Sequence, residues 1–259
     1  MSPDRDARRT LISYVYHELR AMIIDGVAIP GSKLHIVELS KRFNVSPSAT
    51  REALSKLAAE RLVELEEQRG FRVAGVSVRE LRDITFVRVQ IEQLALRRAV
   101  ELGDTEWEAG VVAAFHRLVK TKYFDDEAAG EGKEDWSARH RDFHRALIAA
   151  CDSEWLLRFH DNLFDQSERY RRLNRIYQNA EMAGLRRDVL AEHKTLTEAA
   201  LDRDADRLCT VIAQHLNGTA ERVIAKQSAN LAASASVADK EARTRRRTTP
   251  AAKDRVTSR

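Results

Sequence analysis

From Leu11 to Ile23 the apolar positions return every three or four residues: Leu11, Ile12, Val15, Leu19, Met22 and Ile23. That interval follows one face of an α-helix and predicts a helix over about 8–25. Asp25–Leu34, DGVAIPGSKL, interrupts it with Gly26, Pro30 and Gly31. A short helix is expected around Val37–Phe43, then a turn at Asn44–Val45. Ser46 is a good N-cap for a further helix, and Pro47 suits a first helical position, where its missing N–H would have no partner anyway. This helix should reach about Glu60, with Thr50, Ala53, Leu54 and Leu57 inward and Ser48, Arg51, Glu52 and Ser55 outward. At Leu62–Val76, LVELEEQRGFRVAGV, the period drops to two on either side of Gln68-Arg69-Gly70, which predicts a hairpin with a basic tip. Three helices and a hairpin in this order make a winged helix-turn-helix.

From Ser77 onward every segment reads as helix, over about 77–101, 104–122, 134–151, 153–178, 185–201 and 203–227, with Asp125–Asp135 a polar connector. The expected fold is mainly α: an N-terminal winged helix-turn-helix (8–76), then an all-helical antiparallel bundle (77–228), then a tail (229–259). The tail is rich in Ala, Ser, Thr and Arg, lacks aromatics, and is expected to be disordered.

Composition adds limits. At 259 residues and 43% hydrophobic content, the chain has apolar material for two modest cores. No apolar run approaches the ~18 residues of a membrane helix, and MSPDRDARRT has no apolar segment after its charges, so neither membrane insertion nor a secretory signal is expected. Cys151 and Cys209 fall within helical patterns and read as buried thiols of a reducing cytoplasm. The net charge of +4 is unevenly spread. Residues 230–259 hold eight Lys/Arg against three Asp/Glu, and residues 1–75 twelve against ten, so the section between is net negative. Bulk charge therefore points to weak nucleic-acid contact by the tail, not by the folded body.

The local argument for DNA is stronger. A capped helix behind a tight turn presents its first residues and backbone N–H groups outward, the end that enters a major groove in helix-turn-helix proteins. Ser46, Ser48, Thr50 and Arg51 lie at that end, and Arg69-Gly70 at the hairpin tip is placed to reach a neighbouring groove or phosphate. The segments PGSKL, ELSKRFNVS, REAL and RGFRV, in this order, resemble the GntR family of bacterial transcription regulators across the whole N-terminal domain. The resemblance implies a double-stranded, pseudo-palindromic operator. In most members an Arg follows the first Ser of the turn. Here Pro47 stands there, while Arg51 matches the second Arg of the motif, so base readout should be thinner at one position.

The bundle sequence turns imidazole inward on three helices. His140 and His144 are one turn apart on a face continuing through Leu147 and Cys151. His193 lies on the stripe of Val189, Leu196 and Ala200, and His215 on that of Leu208, Ile212 and Thr219. A lone buried histidine is ordinarily satisfied by a backbone group or hydroxyl. Four are harder to satisfy so, and a divalent cation would satisfy them together. Asp142 lies roughly 200° round the helix from both His140 and His144, on the wrong face.

Residues 77–225 resemble the all-helical effector domain of the FadR branch of the same family, through RVQIEQLALRRAV, FHRAL and the two later histidines. The resemblance implies a metal at His140, His144, His193 and His215. His140 replaces the usual Asp, which favours zinc or nickel over manganese. It further implies a small carboxylate effector near the metal. The stretch from Arg139 to Arg171 looks closest to members that sense small dicarboxylates. Arg88, matching an Arg of the family's first-helix pattern, and Arg169 are the candidate effector contacts. Most of the other arginines near Arg169 (Arg171, Arg172 and Arg175) are expected in solvent. Trp107, Trp136 and Trp155 read as core or dimer packing, and His116 and His160 as structural or surface. The chain thus reads as a homodimeric, ligand-responsive regulator, most simply a repressor. Two alternatives stand beside it: a regulator whose signal is the metal itself, and a metal-dependent enzyme fused to a DNA-binding module. Against the enzyme, no carboxylate stands beside the histidines as an evident base, and there is no His-Glu-x-x-His.

Overall fold

The computed structural model describes residues 3–67, 69–121, 133–176 and 189–225. The tail and most of the Asp125–Asp135 connector lie outside them. The first module contains α1 (Pro3–Ile24), β1 (Lys33–Leu34), α2 (Ile36–Phe43), α3 (Pro47–Ala59), β2 (Val63–Glu66) and β3 (Gly70–Val73). Ile12, Val15, Leu19 and Ile23 of α1 bury one stripe against Ala53, Leu54 and Leu57 of α3, and Leu39, Phe71 and Val73 close the core. The expected hairpin is present, with Leu65 opposite Phe71 and Glu66 opposite Gly70. Gly70 has φ +90°, a left-handed conformation that favours glycine at the tip. The sheet has a third strand that periodicity does not reveal. Lys33–Leu34 pairs with β3 in the order β1-β3-β2. Two residues carry no period, and their partner lies far downstream.

The second module comprises α4 (Val78–Leu102), α5 (Thr105–Lys120), α6 (Lys133–Leu147), α7 (Glu154–Ile176), α8 (Val189–Leu201) and α9, which spans 205–225. Ser77 and Asp104 cap α4 and α5, accepting hydrogen bonds from the backbone N–H groups of Glu80 and Trp107. Leu96, Val111, Leu118, Phe143, Leu147, Leu196, Leu208 and Ile212 fill the core, with both cysteines in it as free thiols. A smaller cluster of Leu81, Tyr170, Ala220, Val223 and Ile224 lies under the Val76–Val78 junction between modules.

α7 joins the modules. It packs along α4 in the bundle and also against α1. Arg20 of α1 ion-pairs with Asp165, which also holds Arg141 of α6. Gln166 Nε2 donates to the carbonyl of Glu60 at 2.6 Å, and Arg172 pairs with Asp25. Arg171 and Arg172 are thus not on a solvated face: both are mostly buried in ion pairs with Glu168.

Candidate functional site

The helix-turn-helix begins with the Ser46 cap. Its hydroxyl accepts from Ala49 N–H at 3.2 Å, which fixes the start of α3 while the residue stays exposed. Ser48 and Arg51 lie exposed on the first turns, and Arg69 is exposed at the hairpin tip. Arg72 anchors the wing from behind, donating to Glu66 Oε1 at 2.9 Å and to the Gly31 carbonyl. Thr50 does not belong to this face. It is fully buried, its hydroxyl lies 2.9 Å from that of Ser40 in α2, and it donates to the Ser46 carbonyl at 3.3 Å. Its hydroxyl links the two helices of the motif and cannot meet a base.

In the second module four imidazoles converge. Among the described residues, His140, His144, His193 and His215 form one buried cluster whose potential ligand atoms all lie within 4.8 Å of one another. The Nε2 atoms of His140 and His144 are 3.1 Å apart. Trp136 lies in the bundle core, as expected, and there stacks on His140, centroids 4.7 Å apart and planes 14° from parallel. Behind His215, Glu192 Oε2 receives Nδ1–H at 2.7 Å. Behind His144, Glu92 Oε2 lies 3.6 Å from Nδ1. Glu92 also receives Arg88 Nε–H at 2.6 Å and faces His160 Nε2 at 3.7 Å, so His160 is a core residue of the site. Burial alone would raise the Glu92 pKa. Arg88, His144 and His160 outweigh it and hold the carboxylate below its ordinary range. Burial lowers the His144 pKa to about 4, and burial with the neighbouring Arg171 keeps His140 well below the usual imidazole value. Both rings are neutral at pH 7.

A pocket opens beside the cluster, lined by Thr85, Arg88, His140, Ser167, Arg171 and His215 among others. Arg88 Nη2 is buried there with no hydrogen-bond partner in the protein. Arg169, expected to contact an effector, is elsewhere: its guanidinium donates to the Ala74 carbonyl at the edge of the DNA-reading module. Arg171, expected in solvent, takes the place in the pocket. It donates to His140 Nδ1 at 3.3 Å, pairs with Glu168, and lies 5.4 Å from the Phe164 ring centroid. Glu92, Glu192, Trp136 and Arg171 were all missed as site residues. Spacing could have found Arg171, four residues after Ser167 and seven after the buried Phe164, and Glu92, four after Arg88.

A winged helix-turn-helix with an exposed arginine on its recognition helix, joined to an all-helical module with a buried donor cluster, defines a class: DNA-binding transcriptional regulators with an appended helical domain. Residues 11–73 match the gntR family of bacterial regulatory proteins and residues 83–218 match the FCD domain. The chain belongs to the GntR family and carries an FCD domain as its second module. It is 40% identical over 214 residues to the HTH-type transcriptional regulator BphR of Paraburkholderia xenovorans, covering 82% of this chain and 84% of that one. It is 39% identical over 203 residues to the HTH-type transcriptional repressor GlaR of Escherichia coli, covering 78% and 90% respectively. Among solved structures, E. coli McbR/YncC superposes with a TM-score of 0.68 at 19% identity, over 84% of this chain and 98% of that one, a likeness of fold. The family and these relatives are regulators of transcription, not enzymes. No described helix is long and apolar enough to cross a membrane.

Proposed function

We propose that this regulator is a homodimeric repressor whose FCD domain holds a divalent cation at the histidine cluster and takes a small carboxylate in the adjoining pocket. The observation that carries the reading is the pairing of buried neutral imidazoles with a buried, partly unsatisfied guanidinium in one cavity. The donor set fits a metal. Neutral imidazole is the form that coordinates, and carboxylates behind His144 and His215 orient their rings as second partners commonly do at such centres. Two nitrogens on a tetrahedral zinc stand about 3.3–3.4 Å apart, so the ligand atoms, within 4.8 Å of one another, would draw together by ring rotation on binding. An all-imidazole set favours zinc or nickel. When bound, the cation would supply positive charge and an open coordination position to an incoming oxygen. Arg88 Nη2, left unsatisfied, would gain a charge-assisted bond from the same ligand.

The DNA side follows from the exposed end of α3. A two-fold operator calls for two reading heads, and apolar side chains on the solvent side of α4, Phe86, Val87 and Leu94, suit a dimer contact. Through α7 the pocket is tied to the first module. Arg171 reaches Glu168, which pairs with Arg172, which pairs with Asp25 at the end of α1. An effector that engages Arg171 differently in two states would shift the balance between two head positions. Elemental analysis of the purified protein should find about one divalent ion per chain. A thermal-shift screen of small mono- and dicarboxylates on the loaded protein should find a stabilising ligand. Absence of bound metal after growth with added zinc and nickel would refute the reading.

A further inference from the structure

The four histidines of the cluster are not equivalent, and the difference lies in what stands behind each ring. Behind His215 is Glu192, and behind His144 is Glu92. A carboxylate accepts, so each of those rings carries its proton on Nδ1 and turns the Nε2 lone pair inward. Behind His140 stands Arg171, whose guanidinium has donors only. His140 Nδ1 must therefore accept. A neutral imidazole has one N–H, so the proton of His140 is on Nε2, the atom 3.1 Å from Nε2 of His144. That contact is then a good hydrogen bond, donated by His140 and accepted by His144. A ring protonated on the atom that faces the cluster has no lone pair to offer there. To coordinate through Nε2 while accepting at Nδ1, His140 would have to become an imidazolate. Nor is Arg171 free to turn away, held by Glu168 and by the face of Phe164. Trp136 holds the His140 ring in plane.

We infer that His140 is not a metal ligand but a hydrogen-bond donor to whatever oxygen occupies the open side of an ion held by His144, His193 and His215. The inference rests on the reading that the cluster holds a cation. It sets the inward lone pairs of His144 and His215, with His193 as the third ligand, against the inward N–H of His140. Three protein ligands with an open position is a common arrangement at reactive zinc. The N–H of His140, backed by Arg171, faces that side together with the unsatisfied Nη2 of Arg88. The ligand class is thereby set: an oxyanion, one of whose oxygens bonds the ion and accepts from His140. The departure from the aspartate usual at this position becomes a change of role, from charged ligand to neutral donor.

Nitrogen-15 spectra of zinc-loaded protein, selective for imidazole, test the tautomer directly. The His140 ring should be protonated on Nε2, and His144 and His215 on Nδ1. A His140 ring protonated on Nδ1, or metal-bound, overturns the inference. Variants test the role. His140→Leu should bind zinc within about threefold of the parent, measured against a competing chelator, whereas His144→Leu should lose about a hundredfold or more. Acetate, read by the visible spectrum of the cobalt-loaded protein, should bind about tenfold more weakly to His140→Leu and recover in His140→Gln, which restores an N–H. The His140→Gln variant also serves for zinc affinity if the leucine variant does not fold. Zinc lost from the His140 variants as steeply as from His144→Leu makes His140 a ligand and sinks the inference alone, leaving the cation reading intact. Acetate affinity unchanged in His140→Leu, or no acetate response in the parent, removes the donor role. A parent chain that binds no zinc removes both readings together.

Discussion

Arg172 of α7 ion-pairs with Asp25, 147 residues earlier at the end of α1, and the same guanidinium donates to Glu168 Oε1 at 3.1 Å. One side chain thus spans the two modules. Asp165, two turns of the helix earlier, does the same through Arg20 and Arg141 and is itself nearly inaccessible. Removing its charge leaves Arg141 without this carboxylate and Arg20 with Glu60 alone. Asp165→Asn is expected to cost about 2 kcal/mol in chemical denaturation and to speed amide exchange at the C-terminal turn of α1. Unaltered exchange there would show that α7 does not brace the reading head.

Arg51 and Thr50 are neighbours with opposite fates. Arg51→Ala should weaken binding to a site selected from random DNA about tenfold, the loss of one base or phosphate contact. Thr50→Val should leave the contacts intact and cost about 1 kcal/mol of stability by depriving Ser40 of its buried partner. A titration in which Thr50→Val, still folded, loses more affinity than Arg51→Ala would reverse these assignments.

Acid should weaken the chelator-treated protein. In the unfolded chain a histidine titrates near about 6.5. In the fold, burial holds His144 at about 4 and His140 lower than usual. Between these values the unfolded state binds more protons. The stabilisation is complete above about pH 6.5 and is lost as pH falls through the folded values. The melting temperature of the metal-free protein should therefore drop steadily from pH 6.5 towards 4. A flat profile over that range would mean the rings are solvated.

Leu94 is 51% exposed and Phe86 65% exposed on α4. Leu94→Glu is expected to convert a dimer into a monomer in light scattering and to lower operator affinity, with far-ultraviolet circular dichroism unchanged. A monomeric parent would remove the two-headed reading.

Gly103 ends α4 where an added Cβ would come within 2.4 Å of the Trp107 ring and 2.6 Å of the Ala99 carbonyl. Arg203 lies across the same spot, donating to the Gly103 carbonyl at 2.7 Å and resting 4.9 Å from the Trp107 centroid. Gly103→Ala should cost about 1–3 kcal/mol, as overpacking does, readable as a lowered denaturation midpoint.

Much of the fold was legible in the sequence. Long helices declare themselves through apolar spacing, and the Ser46-Pro47 start of α3 through capping chemistry. The four histidines could be drawn to one place because each sits on an inward stripe of its own helix. What stayed hidden was decided by tertiary partners. Lys33–Leu34 becomes a strand only because β3 offers an edge. Thr50 sat on the inward stripe, yet nearness to the helix start suggested DNA. Arg169, Arg171 and Arg172 look alike in a charged run, and only the packing of α7 between two modules assigns one to a carbonyl, one to the pocket and one to Asp25. A run of arginines is ordinarily a wet surface, and for Arg169, Arg171 and Arg172 that expectation failed because residues 164–173 of the helix are covered.

The spacing along α7 has a consequence for how this chain can vary. Ser167 and Arg171 address the cavity, while Asp165, Arg169 and Arg172 grip the first module, the two sets interleaved along one helix. One residue inserted before them would turn everything downstream by about 100°, delivering Tyr170 to the cavity and Arg171 to Asp25. Homologues that share both functions should accordingly tolerate many substitutions here but no change of length.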